Sequence, residues 1–297
     1  MLKHHNENEV NPQRVVVLGA SGFIGKAICD STKSKGMNIL ALGRQELNLK
    51  QENAGKQLVE MLHQDDALVF VAAKAPCKDL EMFFENMLMV KAVTEAIQTK
   101  RISHVVYLSS DAVYSDSANP LTESSCVGPE SFHGVMHLAR EIALKQICSF
   151  PLAIVRPTLV YGLLDPHNGY GPNRFRRLAR EKKEIILFGN GEEQRDHVDV
   201  EDVGDLVARI LLRKSSGIIN AVSGEVVSFK ELAEYISKEF DPQVLVTGSA
   251  RSGPMPHNGY RAFNNFAISN AFPDFKFKSW RQGISKINTF EKEHIKK

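Results

Sequence analysis

Near its start the chain reads Arg14-Val-Val-Val-Leu-Gly-Ala-Ser-Gly-Phe-Ile-Gly25. Residues 15–18 form an unbroken apolar run bounded by glycine, the pattern of a strand covered on both faces of a parallel sheet. Gly19, Gly22 and Gly25 follow at intervals of three, and Lys26-Ala-Ile-Cys-Asp30 continues at helical period. A strand that turns on glycine into a helix leaves the first helical N–H groups unpaired, beside the positive end of the helix dipole. That is an anion site. A glycine at the turn lets backbone approach a pyrophosphate, and the last glycine lets helix and strand pack closely. Three glycines alone are a weak signal; in strand–turn–helix context they predict a dinucleotide-binding loop.

The remainder repeats the same alternation. Apolar runs at 37–42, 66–73, 104–114 and 152–156 predict strands, and helical periodicity near 51–63, 82–99 and 132–150 predicts the crossovers. Strands alternating with helices give an α/β, doubly wound parallel sheet. Ligands of such a sheet lie beyond the carboxyl ends of its strands, where Gly19, Ala72 and residues 109–111 converge. Ala72 and Ala73 are small enough to leave room there. Gly43-Arg44 follows strand two, where an acidic residue would prefer the 2′-hydroxyl of NAD and an arginine the 2′-phosphate of NADP. Arg44 therefore predicts NADP, with NAD as the alternative. Beyond residue 157 the texture changes. A stretch rich in Gly, Pro, Asn and Arg at 163–180 precedes short strands at 185–188 and 218–222 and helices at 200–213, 228–240 and 278–293. The expected organisation is a Rossmann domain at 13–160 and a smaller lobe at 161–297, interleaved with the sheet.

Composition narrows the partners. With 43% hydrophobic and 24% charged residues and a formal charge of +2, nothing calls for nucleic acid or an anionic membrane. Cys29, Cys77, Cys126 and Cys148 are scattered, with no Cys-x-x-Cys pair, and read as reduced thiols in a cytoplasmic protein. Residues 1–9 are polar, unlike a secretory signal, and no apolar stretch approaches a membrane span.

Taken together, Gly19-x-x-Gly-x-x-Gly25, Ala72-Ala73, Ser109-Ser-Asp-Ala-Val-Tyr114, Arg156-Pro-Thr-Leu-Val-Tyr-Gly162 and Phe188-Gly-Asn-Gly-Glu-Glu-Gln-Arg-Asp196 resemble one family. It is the extended short-chain dehydrogenase/reductases of the nucleotide-sugar epimerase/dehydratase branch. Gly43-Arg-Gln-Glu-Leu-Asn-Leu49 is similar to NADP-dependent 4-keto-6-deoxy sugar reductases such as GDP-fucose synthase. The resemblance implies cofactor contacts from Gly19, Ser21, Gly22, Phe23, Ile24, Gly25, Arg44, Asn48, Leu49, Ala72, Ala73, Lys74, Ser109 and Pro157. It implies that Arg195 grips a substrate diphosphate, with Arg174 and Asn168 as further substrate contacts. Leu159 stands where relatives often carry asparagine.

The family's Ser/Thr, Tyr and Lys set is only partly present. Ser110 fits the first position. His133 stands where the tyrosine belongs and His137 where the lysine belongs, at i and i+4 on one helix face opposite Val135, Leu138, Ala139 and Ile142. Three readings follow. His133 is a replacement general acid/base, its ordinary pKa of ~6.5 suiting proton transfer near neutrality, and His137 supports the ribose. Alternatively the pair is lost and the protein is a non-catalytic dinucleotide-binding sensor or scaffold. In the third reading the histidines chelate a metal, although the glycine-rich loop already accounts for the site and no metal is expected. Asp111 is a catalytic or backbone-capping carboxylate. Ala112 replaces the glutamate of the family's 4,6-dehydratases, which argues against dehydration. The expected activity is NADP-dependent epimerisation or reduction of a nucleotide-activated sugar through a keto form. A homodimer is expected through the helix at 82–99 and the final helix.

Overall fold

A computed structural model describes residues 2–294. Its first half alternates β1 (Arg14–Leu18), α1 (Phe23–Ser34), β2 (Ile39–Leu42), α2 (Ala54–Met61), β3 (Asp66–Phe70), α3 (Leu80–Thr99), β4 (His104–Leu108), α4 (Phe132–Ile147) and β5 (Leu152–Pro157). The second half holds β6 (Leu159–Tyr161), α5 (Pro172–Arg180), β7 (Ile185–Phe188), β8 (Gln194–Asp199), α6 (Val200–Leu212) and β9 (Gly217–Ala221). It ends with β10 (Val226–Ser228), α7 (Phe229–Lys238), β11 (Val246–Ser249), β12 (Tyr260–Arg261), α8 (Phe266–Ala271) and α9 (Trp280–His294).

The central sheet is parallel throughout, with six strands in the order β2-β1-β3-β4-β5-β9. Alternation along β1 explains its two helical layers. Val15 and Val17 pack with Ile28 of α1 and Val203, Leu206 and Val207 of α6. Val16 and Leu18 pack with Leu58 of α2, Val93 and Ala96 of α3 and Leu144 of α4. The chain passes from β2 on one side of β1 to β3 on the other, and this reversal opens a crevice at the carboxyl ends of β1 and β3. The expected doubly wound sheet is present.

The remaining strands form a smaller lobe. β8 lies between β10 and β12 and also pairs with β6, while β7 pairs with β11. Its core gathers Phe175, Leu187, Phe229, Leu232, Trp280 and Ile284. The amino-terminal residues lie instead beside the large sheet, where Leu2 packs against the core of β1 and α6. Lys3 bridges to Ser216 beside β9, and His4 contacts Ser215 Oγ at 2.7 Å and the Ala271 carbonyl at 2.9 Å.

Two local expectations change. Strand four stops at Leu108 rather than running to Tyr114, because Ser110 Oγ accepts from the Ala112 N–H and starts a short 3-10 turn at Asp111–Val113. Strand three stops at Phe70, and the chain beyond it is irregular. Helix α4 does not bury the stripe of Val135 and Ile142; its inward side joins Met136 and Leu144 with charged residues. Val135 and Ile142 are exposed, whereas His137, Arg140 and Glu141 are buried.

Each buried charge on α4 is satisfied. Glu141 accepts from Arg156 Nε at 2.8 Å, Arg156 Nη2 at 2.6 Å and Ser109 Oγ at 2.6 Å, which ties α4 to β5 and the end of β4. Burial pushes the Glu141 carboxyl up, but Arg156 and Ser109 outweigh it and hold its pKa below the ordinary value. Glu141→Gln is expected to cost about 3–5 kcal/mol, since it leaves a buried guanidinium without its counter-charge. Denaturant unfolding measures this. The pair's contribution should be complete above the ordinary glutamate value of ~4.3 and disappear as pH falls below it through the lowered folded value. A loss under ~1 kcal/mol would show that the pair is not the tie between α4 and β5.

Candidate active site

The crevice is a cleft of about 720 Å³ between the glycine loop, the ends of β2 and β3, residues 110–112 and the smaller lobe. Its dinucleotide end is built by close backbone approach. Gly19 has φ +90°, and a Cβ there would lie 2.7 Å from the Ala72 backbone. A Cβ on Gly25 would lie 2.0 Å from the Gly19 carbonyl oxygen. Gly22 caps α1 without a side chain, and no acidic residue occupies the first turn. The helix therefore presents unpaired N–H groups and no competing charge, which fits a pyrophosphate. Ser21, Phe23, Ile24, Asn48, Leu49, Ala72, Ala73 and Lys74 all line the cleft. Arg44 lines it too and has no ion-pair partner among the described residues. Glu46 turns instead onto the Gly43 N–H at 2.8 Å, while Lys50 and Lys74 approach Glu85 at 3.1 and 3.9 Å.

The polar end centres on the start of α4. Ser131 caps that helix by accepting from the Gly134 N–H at 3.2 Å. His133 lines the cleft, and its Nδ1 accepts from the Cys77 N–H at 3.3 Å. An imidazole that accepts at Nδ1 carries its proton on Nε2 when neutral. Desolvation lowers its pKa; Asp111 opposes this and Arg140 adds to it. His133 is thus held as a neutral Nε2–H donor.

Arg140 is the residue beneath this arrangement. It is 1% exposed and pairs with no carboxylate among the described residues. It donates to the Ala72 carbonyl at 2.9 Å, the Asn86 carbonyl at 3.0 Å and Asn86 Oδ1 at 2.8 Å, and lies 4.8 Å from the Phe70 ring centroid. Asn86 in turn holds both backbone groups of Lys74 at 3.0 Å. Arg140 and Asn86 therefore pin the stretch from Ala72 to Cys77 that carries the donor to His133.

Several anticipated contacts are placed elsewhere. His137 is 4% exposed, off the cleft wall, with Nδ1 2.8 Å from the Tyr107 hydroxyl. The expectation that it supports a ribose is corrected: the inward turn of α4 buries it behind His133, ring centroids 4.7 Å apart and edge-on. Ser109 is taken up by Glu141, and neither it nor Pro157 lines the cleft. Arg174 is exposed on α5, and Asn168 accepts from Arg177 at 2.9 Å; neither reaches the cleft. Asp111 lines it but pairs with Arg261 Nε at 3.0 Å. Ser110 lines it with its oxygen accepting from Ala112, while its O–H makes a long contact of 3.4 Å to Asp111 Oδ1 that a substrate oxygen can replace. Arg195 lines it with Nη1 3.2 Å from Glu193 and a buried Nε that has no partner among the described residues. Among the described residues no group of three His, Cys, Asp or Glu is arranged to hold a metal, and no helix is long and apolar enough to cross a membrane.

Sequence reasoning missed Arg140, the Cys77 N–H and two further cleft imidazoles, His167 and His257. Arg140 carried a readable signal, since it lies seven residues after His133 and shares its helix face. His257 carried none. It reaches the cleft from a loop of the smaller lobe.

With this geometry, the chain belongs to the NAD dependent epimerase/dehydratase family, which it matches over residues 15–222. It is 30% identical over 172 residues to dTDP-L-rhamnose 4-epimerase of Burkholderia thailandensis, covering 54% of this chain and 46% of that protein. The chain thus spans about half the length of that relative. It is 25% identical over 253 residues to GDP-L-fucose synthase of Sinorhizobium fredii, covering 76% of this chain and 79% of that one. In fold it is similar to a GDP-L-fucose synthetase from Naegleria fowleri bound to NADP, with TM-score 0.82 and 16% identity over 99% of this chain and 97% of that one.

His137 belongs to a set of buried neutral histidines with an acid-sensitive consequence. Desolvation takes His104 down to about 4 and His197 down to about 3, and holds His137 well below its ordinary value. Below pH ~6.5 the unfolded chain protonates all of them and the folded chain does not, so stability falls with pH. Each should remove about 1.4 kcal/mol per pH unit down to the folded value of His104. Chemical denaturation from pH 7 to 5 measures the slope. His104→Asn should flatten it by one histidine's share, and an unchanged slope would refute neutral burial.

Proposed function

We propose that the chain is an NADP-dependent epimerase or reductase that acts on a nucleotide-activated sugar through a keto form. The observation carrying this reading is one cleft that joins an open helix N-terminus to a polar end where two hydrogen-bond donors and a spare arginine donor meet. The N–H groups following Gly22 would hold the pyrophosphate, Arg44 the 2′-phosphate, and Asn48 and Leu49 the adenine side. A bound nicotinamide supplies or accepts hydride. Arg195 keeps its buried Nε for a substrate diphosphate. The Ser110 hydroxyl and His133 Nε2–H are both donors, suited to a carbonyl oxygen as it gains negative charge.

This revises the role expected of His133. With Nδ1 engaged by Cys77, the ring polarises an oxygen and does not exchange a proton with it. A partner is proposed on related grounds. Leu80, Phe84 and Leu88 of α3 and Val135 and Ile142 of α4 are exposed, and the two helices pack side by side. They form an apolar face suited to a homodimer. The final helix, expected to share this role, buries Trp280, Ile284 and Ile287 in the smaller lobe.

The activity test incubates GDP-, UDP- and dTDP-linked sugars, 4-keto forms included, with NADPH in deuterated water and separates the products by chromatography and mass spectrometry. Turnover of one sugar is expected, with His133→Ala reducing kcat about 100-fold, the scale of losing one oxyanion donor. Arg44→Ala should weaken NADPH about tenfold more than NADH. NADPH binding with no turnover of any sugar would leave the sensor reading. Sedimentation should find a dimer, and Phe84→Glu a monomer; a monomeric parent refutes the apolar face as an interface.

A further inference from the structure

His257 stands in an unusual setting. It and Asn258 both have φ +52°, a left-handed conformation that side-chain-bearing residues rarely adopt. Strained backbone of this kind persists where surroundings over-determine it. Here the surroundings are visible. The Asp116 carboxylate lies 2.5 Å from His257 Nδ1, and the same oxygen receives Arg261 Nη1 at 2.9 Å. Arg261 is 2% exposed; its Nε reaches Asp111 at 3.0 Å and its Nη2 the Asp111 carbonyl at 2.6 Å. β12 then sets Arg261 beside Arg195 of β8. One network thus joins the loop after β4 to the smaller lobe, and the His257 ring is its edge on the cleft.

The hydrogen bonds assign the tautomer. Arg261 Nη1 also lies 3.1 Å from Nδ1, but it is closer to the shared Asp116 oxygen at 2.9 Å. The carboxylate at 2.5 Å is the nearest partner of Nδ1. It accepts, so His257 donates there and its Nε2 bears a lone pair. Two of the three imidazoles lining the cleft therefore face it in opposite senses: His133 offers Nε2–H, and His257 offers an acceptor at Nε2 backed by a carboxylate. The charged groups facing His257 are Asp116, Arg261 and Arg195. Desolvation and Arg195 lower its pKa, against the pull of Asp116, with Arg261 lowering it further. The ring is neutral at pH 7 and its lone pair available.

We propose that His257, oriented by Asp116, is the base that removes a proton from the carbon adjacent to the keto group of the sugar. This rests on the reading of the cleft as a nucleotide-sugar site. The C–H bond breaks and its electron pair becomes the C=C bond of an enolate. The carbonyl π pair moves to oxygen, which meets Ser110 and His133. The proton passes to His257 Nε2, where Asp116 balances the new charge. Reprotonation of carbon from solvent on either face, with loss of the proton from His257 to solvent, closes the cycle with no oxidant or reductant. The step needs no hydride, so it is measurable apart from redox turnover.

The experiment follows solvent deuterium into GDP- and dTDP-linked 4-keto-6-deoxyhexoses by mass spectrometry, with NADPH binding followed by fluorescence. Wild-type protein should label the carbon next to the carbonyl, and H257Q should label it at least 100-fold more slowly while binding NADPH normally. D116N should slow labelling about tenfold and displace the limb of the pH–rate profile set by His257. Long-range proton–nitrogen NMR should find His257 protonated at Nδ1 and His133 at Nε2, whatever the substrate. Labelling by H257Q at the wild-type rate, or a proton on His257 Nε2 at pH 7, overturns the assignment while leaving the proposed activity standing. Wild-type protein that binds NADPH but neither labels nor reduces any of these sugars overturns the broader reading, and this one with it.

Discussion

The cleft depends on a helix that buries its charged face. Arg140 is fully enclosed with no counter-ion among the described residues, which is tolerable because its guanidinium is held by the carbonyl oxygens of Ala72 and Asn86 and covered by Phe70. The next residue, Glu141, is enclosed with Arg156. These groups set the depth and rotation of α4 against β3, β4 and β5. They also set the path of the chain leaving β3. A rotation of α4 that exposed them would move His133 off the cleft and release the Cys77 N–H that fixes its ring.

From that rotation follows the chemistry. In the pattern this family suggests, a tyrosine and a lysine on α4 share the proton-transfer work. Here the equivalent positions hold imidazoles, and the inward turn of the helix separates them. His133 is left at the surface of the cleft as a neutral donor, while His137 is sealed behind it against Tyr107. A permanent positive charge survives nearby in Arg140, one helical turn past His137, and it favours the uncharged form of both rings. In the proposed reaction the polar end would bind developing negative charge well and transfer protons from α4 poorly, which leaves the proposed base to the smaller lobe.

The outward face of α4 carries the complementary cost. Val135 and Ile142 are exposed because the inward positions are charged, and α3 adds Leu80, Phe84 and Leu88 alongside. Burial of charge on one side and exposure of apolar surface on the other are a single fact about this helix. The stripe of Val135 and Ile142, judged without neighbours, points the wrong way.

Much of the fold was legible in the residues alone, and the reason is local. Gly19, Gly22 and Gly25 dictate a turn that other residues cannot make, since a Cβ at Gly25 would collide with the Gly19 carbonyl. Unbroken apolar runs at β1, β3 and β4, bounded by turn residues and alternating with helical segments, read as strands covered on both faces. The sheet, the anion site at α1 and the place of Arg44 beside it follow from neighbours in sequence. The tautomers of His133 and His257 do not. The first is set by a backbone N–H at Cys77, the second by Asp116 far from it along the chain, and composition and periodicity hold no trace of either. The sequence by itself determined the dinucleotide loop and the parallel sheet, because those obey short-range sterics and hydrophobic period. Only the tertiary structure decided which histidines reach the cleft and which nitrogen each presents, because a hydrogen bond depends on distance in space.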